Sequence, residues 1–431
     1  MNNMVNKAQG FGLSLLTRVA GSDLLDQFRL RKFLEKSLYQ SSKAGFKTLS
    51  QTQKILKSGQ TLQKQRLPHQ PKSLFDLNLT QEQQMTCDAM QQFAREVLYP
   101  LAYKADHHEN FPEELWQYST DLGLNLYALP EALGGVASEQ NIVSNVLIAQ
   151  SLAQGDFSLT AGLLSTFSVI NALTHWGSEQ IQTDYLSAFT EDPQLKATFA
   201  VQEATAAFNP YQLKTTATPH QDHYLINGEK TLVILGESAD LYLVSASLNG
   251  TADIFVVQRD QTITAQKSPA MGLKATQTMS LKFANTPAQR LGDEDFDYTA
   301  FVDLGNLMWC AMAVGTCEAV KKYCIQYANE RTAFGEPISH RQSVAFMIAD
   351  MAIEIDAMQM LVLNAASLAE SGQSFHREAY LTRLLCAEKS MKIGTDGVQI
   401  LGGHGFTKEH PVERWYRDLR ATAILHSGLH A

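Results

Sequence analysis

Arg331-Thr332-Ala333-Phe334-Gly335-Glu336-Pro337-Ile338, followed by Arg341-Gln342 and Phe346-Met347-Ile348-Ala349-Asp350-Met351, is the stretch whose reading decides the fold. A cationic loop containing a glycine opens directly into a long apolar-periodic segment. There Val344, Met347, Ile348, Met351, Ile355, Met358 and Val362 recur at i, i+3, i+4 and i+7, the stripe of an amphipathic helix. Ser371-Gly372 breaks the pattern, and Glu378 to Val398 predicts the next helix, ending before Gly402-Gly403. Long helices with short breaks predict an antiparallel bundle over about 299–431.

Upstream of this bundle the periodicity changes. Tyr224-Leu225-Ile226 leads into Asn227-Gly228, a type I′ hairpin signal, with Lys230–Ile234 as the returning strand. Leu241–Ala246, Ile254–Val257 and Met279–Phe283 predict further short strands of a small all-β unit. From about 75 to 195 the chain reads helical again. Thr80 followed by Glu82–Gln84 is a capped helix start, and Pro100, Pro112, Gly134-Gly135 and Gly177 punctuate the region. The order helical, β, helical predicts three domains over 73–195, 196–295 and 296–431, preceded by a basic helical extension over 1–72.

With 431 residues, 45% of them hydrophobic and 18% charged, the chain has ample apolar material for large cores. A net charge of −9 argues against nucleic acid as a partner, because phosphate binding needs a basic face. No apolar run in the sequence approaches the roughly 20 residues that span a bilayer. Cys310, Cys317 and Cys324 recur every seven residues, which on a helix is one stripe of small apolar side chains. They are read as buried reduced thiols in a cytoplasmic protein, with no metal site. In the basic extension, Leu24/Phe28 and Leu30/Leu34/Leu38 are i,i+4 neighbours with Arg29, Arg31, Lys32 and Lys36 between them. Two readings stand for it: an arm packed on the protein's own acidic body, or a peripheral contact with the inner face of a membrane.

A second block completes the pattern: Gln399-Ile400-Leu401-Gly402-Gly403-His404-Gly405-Phe406, with Pro411-Val412-Glu413-Arg414 and Arg417-Asp418 beyond it. The two blocks, in this order and at this spacing, resemble the signatures of the acyl-CoA dehydrogenase family. The likeness covers about 75–428, and a similar N-terminal extension occurs in a bacterial subgroup. The resemblance implies an α+β, mainly α fold: an N-terminal α-helical domain, a middle β-barrel-like domain and a C-terminal four-helix bundle. It implies FAD as cofactor, an acyl-CoA substrate oxidised to the 2-enoyl-CoA in fatty-acid or related acyl catabolism, and electron-transfer flavoprotein as acceptor. It also implies a homodimer or homotetramer, since Arg331 and Gln342 would reach FAD held mainly by a neighbouring subunit, with Gln399, Gly402 and Gly403 lining the same site.

The chemistry of these residues suits a dinucleotide. Arg331 supplies a permanent, forked cation for a pyrophosphate. Gly402 and Gly403 let backbone approach a phosphate or ring, and Gln342 and Gln399 offer amide donors and acceptors. Phe334 lies in the same block. In the β domain Phe199-Ala200-Val201-Gln202-Glu203 stands where the family has a Thr-Glu-Pro segment over the flavin, and Phe208-Asn209-Pro210 replaces the following Gly-Ser-Asp. Leu232-Val233-Ile234 replaces a Trp-Ile-Thr facing the isoalloxazine, which exchanges a ring and a hydroxyl for apolar side chains. Gln202 and Val233 are accordingly the expected flavin contacts from this domain.

The family's base is usually a Glu shortly after the Arg-Asp pair, and that position is His426 here, followed by Ser427-Gly428. The other location used in the family corresponds to Gly305, followed by Asn306. Neither holds a carboxylate. Three readings are open: His426 is itself the base; Glu413 or Glu409 serves instead, although Glu413 is placed to pair with an arginine; or the chain is a non-catalytic relative that keeps the fold.

Overall fold

The computed structural model describes residues 79–136 and 141–431. The helical patches expected within 1–72 lie outside these. Helix α1, Gln81–Phe93, starts at a reciprocal cap in which Thr80 Oγ1 accepts from Gln83 N and Gln83 Oε1 accepts from Thr80 N, both at 3.1 Å. A π-helical turn, Ala94–Leu98, carries the chain into α2, Tyr99–His108. After α3, Glu114–Leu122, come two apolar helices, α4, Ile142–Leu152, and α5, Phe157–Trp176. Asp156 caps α5 by accepting from Leu159 N at 2.9 Å. The short α6, Glu179–Tyr185, and α7, Ala188–Glu191, lead into the sheet.

Seven strands follow: β1, Ala197–Ala200; β2, Thr216–His220; β3, His223–Val233; β4, Leu241–Leu248; β5, Thr251–Gln258; β6, Ile263–Lys267; and β7, Met279–Arg290. Pairing runs β4-β2-β3-β7-β5 and returns from β5 to β4, so the sheet closes on itself, with β1 added beside β4 and β6 beside β7. The closed ring encloses its own core, built around Tyr242, Phe255, Leu281 and Phe283.

The expected hairpin at Asn227-Gly228 is not there. β3 runs straight through both residues, and a register shift between Ile226 and Asn227 marks a bulge. Gly228, at φ +148, lets the strand pass Thr215 so closely that a Cβ would lie 2.7 Å from its Cα. A two-residue turn with both residues left-handed is instead found at Asn249-Gly250, between β4 and β5, and another at Phe334-Gly335.

The last region holds three long helices, α8, Tyr298–Glu330, α9, Gln342–Glu370, and α10, His376–Leu401. The short α11, Val412–Leu419, and α12, Ala421–Ile424, pack across α10, while α4 packs on α8 and α9. One continuous apolar core therefore joins both helical regions. Helices α5 and α8 are long and apolar enough to cross a bilayer, yet 94% of each apolar window is buried inside the protein. They are core helices. Cys310, Cys317 and Cys324 sit together on α8, and all five cysteines are buried and free. Among the described residues no cluster of side chains is arranged to hold a metal.

The three regions are riveted at α11. Arg417 donates from Nη1 and Nη2 to the two carboxylate oxygens of Asp106 on α2, at 2.9 and 2.8 Å. It also donates from Nε to Glu413 at 2.7 Å and from Nη1 to the Met271 carbonyl at 3.2 Å, beside the barrel. Asp418 accepts from Leu273 N at 2.7 Å, and Arg414 Nε donates to Asp156 at 2.9 Å.

Candidate functional site

Arg331 ends α8. It lines a cleft of about 320 Å³ shared with Tyr327, Glu330, His404 and His410. The first signature block and the Gly402–Phe406 turn, distant in sequence, thus meet at one cleft. His404 and His410 stack with ring centroids 5.3 Å apart, and each ring bonds a tyrosine of α8, Tyr327 at 2.9 Å and Tyr323 at 2.6 Å. Of the residues expected at the cofactor, Arg331 lines this cleft; Gln342, Gln399, Gly402 and Gly403 are exposed but outside its lining, and nothing lies within 4 Å of where a Cβ on Gly402 or Gly403 would be. Phe334 is 96% exposed, with the Arg341 guanidinium 5.8 Å from its ring centre.

Gln202 and His426 belong to a second pocket, between β3 and α8. Phe199, Leu232, Ile234, Trp309 and Leu425 form its apolar walls, and its volume is about 20 Å³, room for roughly one water. The two cavities have no lining residue in common. Val233 does not take part in the second one. Its side chain lies in the barrel core, and its neighbours Leu232 and Ile234 face the pocket. The cause is a register shift between Lys230 and Val233, where Leu232 adopts φ +53 and resets which residues point outward.

His426 is half-buried, its ring against Phe208 at 6.0 Å between centroids. Burial, with the nearby Arg383 cation adding to it, pushes its pKa down to about 4. At neutral pH the ring is the free base, and its basicity is that of an ordinary carboxylate, about 4.3 for Glu. The alternative carboxylates are accounted for elsewhere. Glu413 is engaged by Arg417, and Glu409 is exposed and lines neither pocket. Position 305 has no room for an acid either, because a Cβ on Gly305 would lie 2.5 Å from Ser427 Oγ and 2.6 Å from the Leu429 carbonyl.

The segment after His426 runs inward. His430 is fully buried, accepts from Trp176 Nε1 at 2.8 Å, and burial brings its pKa down to about 3. These depressed imidazoles are neutral in the native chain and protonate in the unfolded one below pH 6.5. Their contribution to stability is therefore complete above about pH 6.5 and is lost as pH falls from there through 4 to 3. His430 alone is expected to contribute on the order of 5 kcal/mol across that window. Thermal unfolding of His430→Gln, which keeps an acceptor for Trp176, should show a shallower decline in Tm between pH 7 and 4.5 than the parent. Parallel declines would rule this out.

The residues present fit a flavin. Gln202 Oε1 is buried on the barrel side of the second pocket without a hydrogen-bond partner, an acceptor for a ring N–H, and Ser427 Oγ is likewise unpaired. Arg331, beside Glu330 in the first cleft, offers a forked cation to a pyrophosphate. A ring and a thioester together exceed the 20 Å³ that this pocket encloses.

A helical–barrel–helical chain with one dinucleotide-suited cleft and one apolar pocket around a potential base defines a class of three-domain oxidoreductase. Residues 80–192, 198–286 and 299–428 match in turn the N-terminal, middle and C-terminal domains of acyl-CoA dehydrogenases. Cyclohex-1-ene-1-carbonyl-CoA dehydrogenase from Geobacter metallireducens is 31% identical over 367 residues, 80% of this chain and 94% of that protein. Butyryl-CoA dehydrogenase from Megasphaera elsdenii superposes with a TM-score of 0.73 at 28% identity, covering 81% of this chain and 95% of that one. A chain in the electron-transferring flavoprotein structure from Acidaminococcus fermentans does so with a TM-score of 0.74 at 28% identity and the same coverage. The chain belongs to the acyl-CoA dehydrogenase family, FAD-dependent oxidoreductases acting on the CH–CH bond of acyl-CoA.

Proposed function

We propose that this chain converts an acyl-CoA thioester to its 2-enoyl-CoA, with His426 as the base and electron-transfer flavoprotein as the acceptor, in the catabolism of fatty or related acyl groups. The observation that carries the reading is the free-base imidazole of His426 in one largely apolar pocket with Gln202 and β3. FAD, when bound, supplies the acceptor for the β-hydrogen, which leaves as hydride. The α-proton leaves the thioester for the His426 ring, and the apolar walls exclude water from that transfer.

The separation of the Arg331 cleft from the His426 pocket supports a cofactor shared between two copies, each supplying one half, hence a homodimer or homotetramer. An exposed apolar stripe on α9, Phe346, Ile353 and Met360, continued by Tyr380 and Leu384 on α10, supports the same assembly. The buried free thiols suit the cytoplasm. Whether residues 1–72 touch the inner face of a membrane is decided by lipid flotation with and without them.

A second reading, a subunit that keeps the fold without turnover, draws on the 20 Å³ pocket and the missing carboxylate. One experiment separates the two. The purified protein is expected to be yellow and to bleach when butyryl-CoA or longer thioesters are added without oxygen. A yellow protein that no thioester bleaches favours the subunit, and a colourless one removes the cofactor from both readings.

A further inference from the structure

Among the described residues, Arg383 is a buried cation without a counter-ion. It stands on α10 at 9% exposure, and among the described residues no carboxylate pairs with it. Its guanidinium donates from Nη1 to Asn306 Oδ1 at 3.2 Å and from Nη2 to the Ala423 carbonyl at 3.3 Å. Asn306 Oδ1 accepts a second bond, from Ser427 N at 3.1 Å, and Trp309 Nε1 donates to the Ser427 carbonyl at 2.6 Å. Side chains of α8 and α10 therefore fasten the backbone at residues 423 and 427, on either side of His426. The His426 ring has no hydrogen bond of its own among the described residues. Burying a guanidinium costs several kcal/mol that an apolar side chain of similar length would not. If the site needed only packing between α10 and the 423–427 turn, a leucine or methionine would serve at lower cost.

We propose that Arg383 and Asn306 are positioning residues for His426: acting through the backbone on both sides of it, they hold its imidazole as a free base facing the pocket between β3 and α8. The proposal rests on the reading of His426 as the base. The charge contributes what packing cannot, since a fixed cation beside the turn opposes a second positive charge on the ring. The other groups around the turn leave that role to Arg383. On α8, Asp303 is taken up by His376 Nδ1 at 2.6 Å, and Cys310 lies behind Arg383. On α10, a hydrogen bond with Cys310 and then burial keep the Cys386 thiol protonated, and beyond the turn His430 is neutral.

The test uses the full-length, FAD-loaded chain, with the His426 resonance assigned by its loss in His426→Gln. In ¹³C-histidine spectra the parent His426 is expected to stay neutral to about pH 4. Arg383→Met should raise its midpoint by about one pH unit or more toward 6.5. The same variant should slow anaerobic flavin reduction by butyryl-CoA about 10- to 100-fold, with half-saturation changed less than about threefold. Arg383→Lys, which keeps the charge and loses the fork, should titrate like the parent and still reduce slowly. Asn306→Ala should slow reduction with little change in titration, and it carries the test if Arg383→Met does not fold. A folded Arg383→Met whose His426 titration is unmoved overturns the proposal, as does parental reduction by both Arg383→Met and Asn306→Ala. If the parent itself is not reduced, the dehydrogenase reading fails alone, and the titration still decides the clamp.

Discussion

Alanine at position 426 is expected to lower the rate of flavin reduction by acyl-CoA by about 10²- to 10⁴-fold, the usual worth of a positioned general base, while FAD stays bound. The reasoning is one of elimination as well as placement. His426 is the titratable side chain in the pocket between β3 and α8, Glu413 is held by Arg417, and position 305 is closed by Ser427 and Leu429. FAD should survive because the Arg331 cleft and Gln202 are untouched. Glutamate at 426 is expected to retain reduction, because Arg383 offers the cation that steadies a carboxylate in that position and the neutral pocket already tolerates a base of similar strength. Stopped-flow absorbance under anaerobic conditions reads both variants. Unaltered reduction in His426→Ala would remove it from the chemistry, whatever His426→Glu does.

What the sequence disclosed follows the range of the forces involved. The cap at Thr80 and the pairing of Glu413 with an arginine were legible because each is closed within one helical turn, the arginine being Arg417. The α9 stripe and the cysteine stripe of α8 were legible because burial repeats with the helical period. Asn-Gly is a turn signal without an address. Asn249-Gly250 makes a left-handed turn, whereas Asn227-Gly228 sits at a bulge inside β3, with Thr215 close against Gly228. A second bulge moved the pocket-facing phase from Val233 to Leu232 and Ile234, and no local pattern announces a one-residue shift. Arg383 and Trp309 carried no motif. Their roles come from the inward course of residues 423–431 past α8, which only the assembled fold specifies.

The largest loss of stability is expected from Arg417→Ala, about 3–5 kcal/mol, because it removes one partner of a largely buried ionic cluster and leaves the others without it. Asp106 is 7% exposed and Glu413 18%, so neither regains much water when the guanidinium goes. The neighbouring charges deepen the loss: their ion pairs hold Arg417 firmly protonated, so the native state depends on its charge throughout the accessible pH range. The damage is not confined to one helix. The same guanidinium joins α2 through Asp106, the barrel side through the Met271 carbonyl and α11 through Glu413, and α11 leads within a few residues to the turn that carries His426. A destabilised dock should therefore lower thermal stability and flavin reduction together, with reduction falling even at temperatures where the chain is folded. In a double-mutant cycle Arg417→Met with Asp106→Leu should recover part of the loss, since it removes the buried Asp106 charge and leaves Glu413 as the carboxylate still without Arg417. Urea unfolding that placed Arg417→Ala within about 1 kcal/mol of the parent would mean that solvent reaches Asp106 and that the three regions are held by their shared apolar core instead.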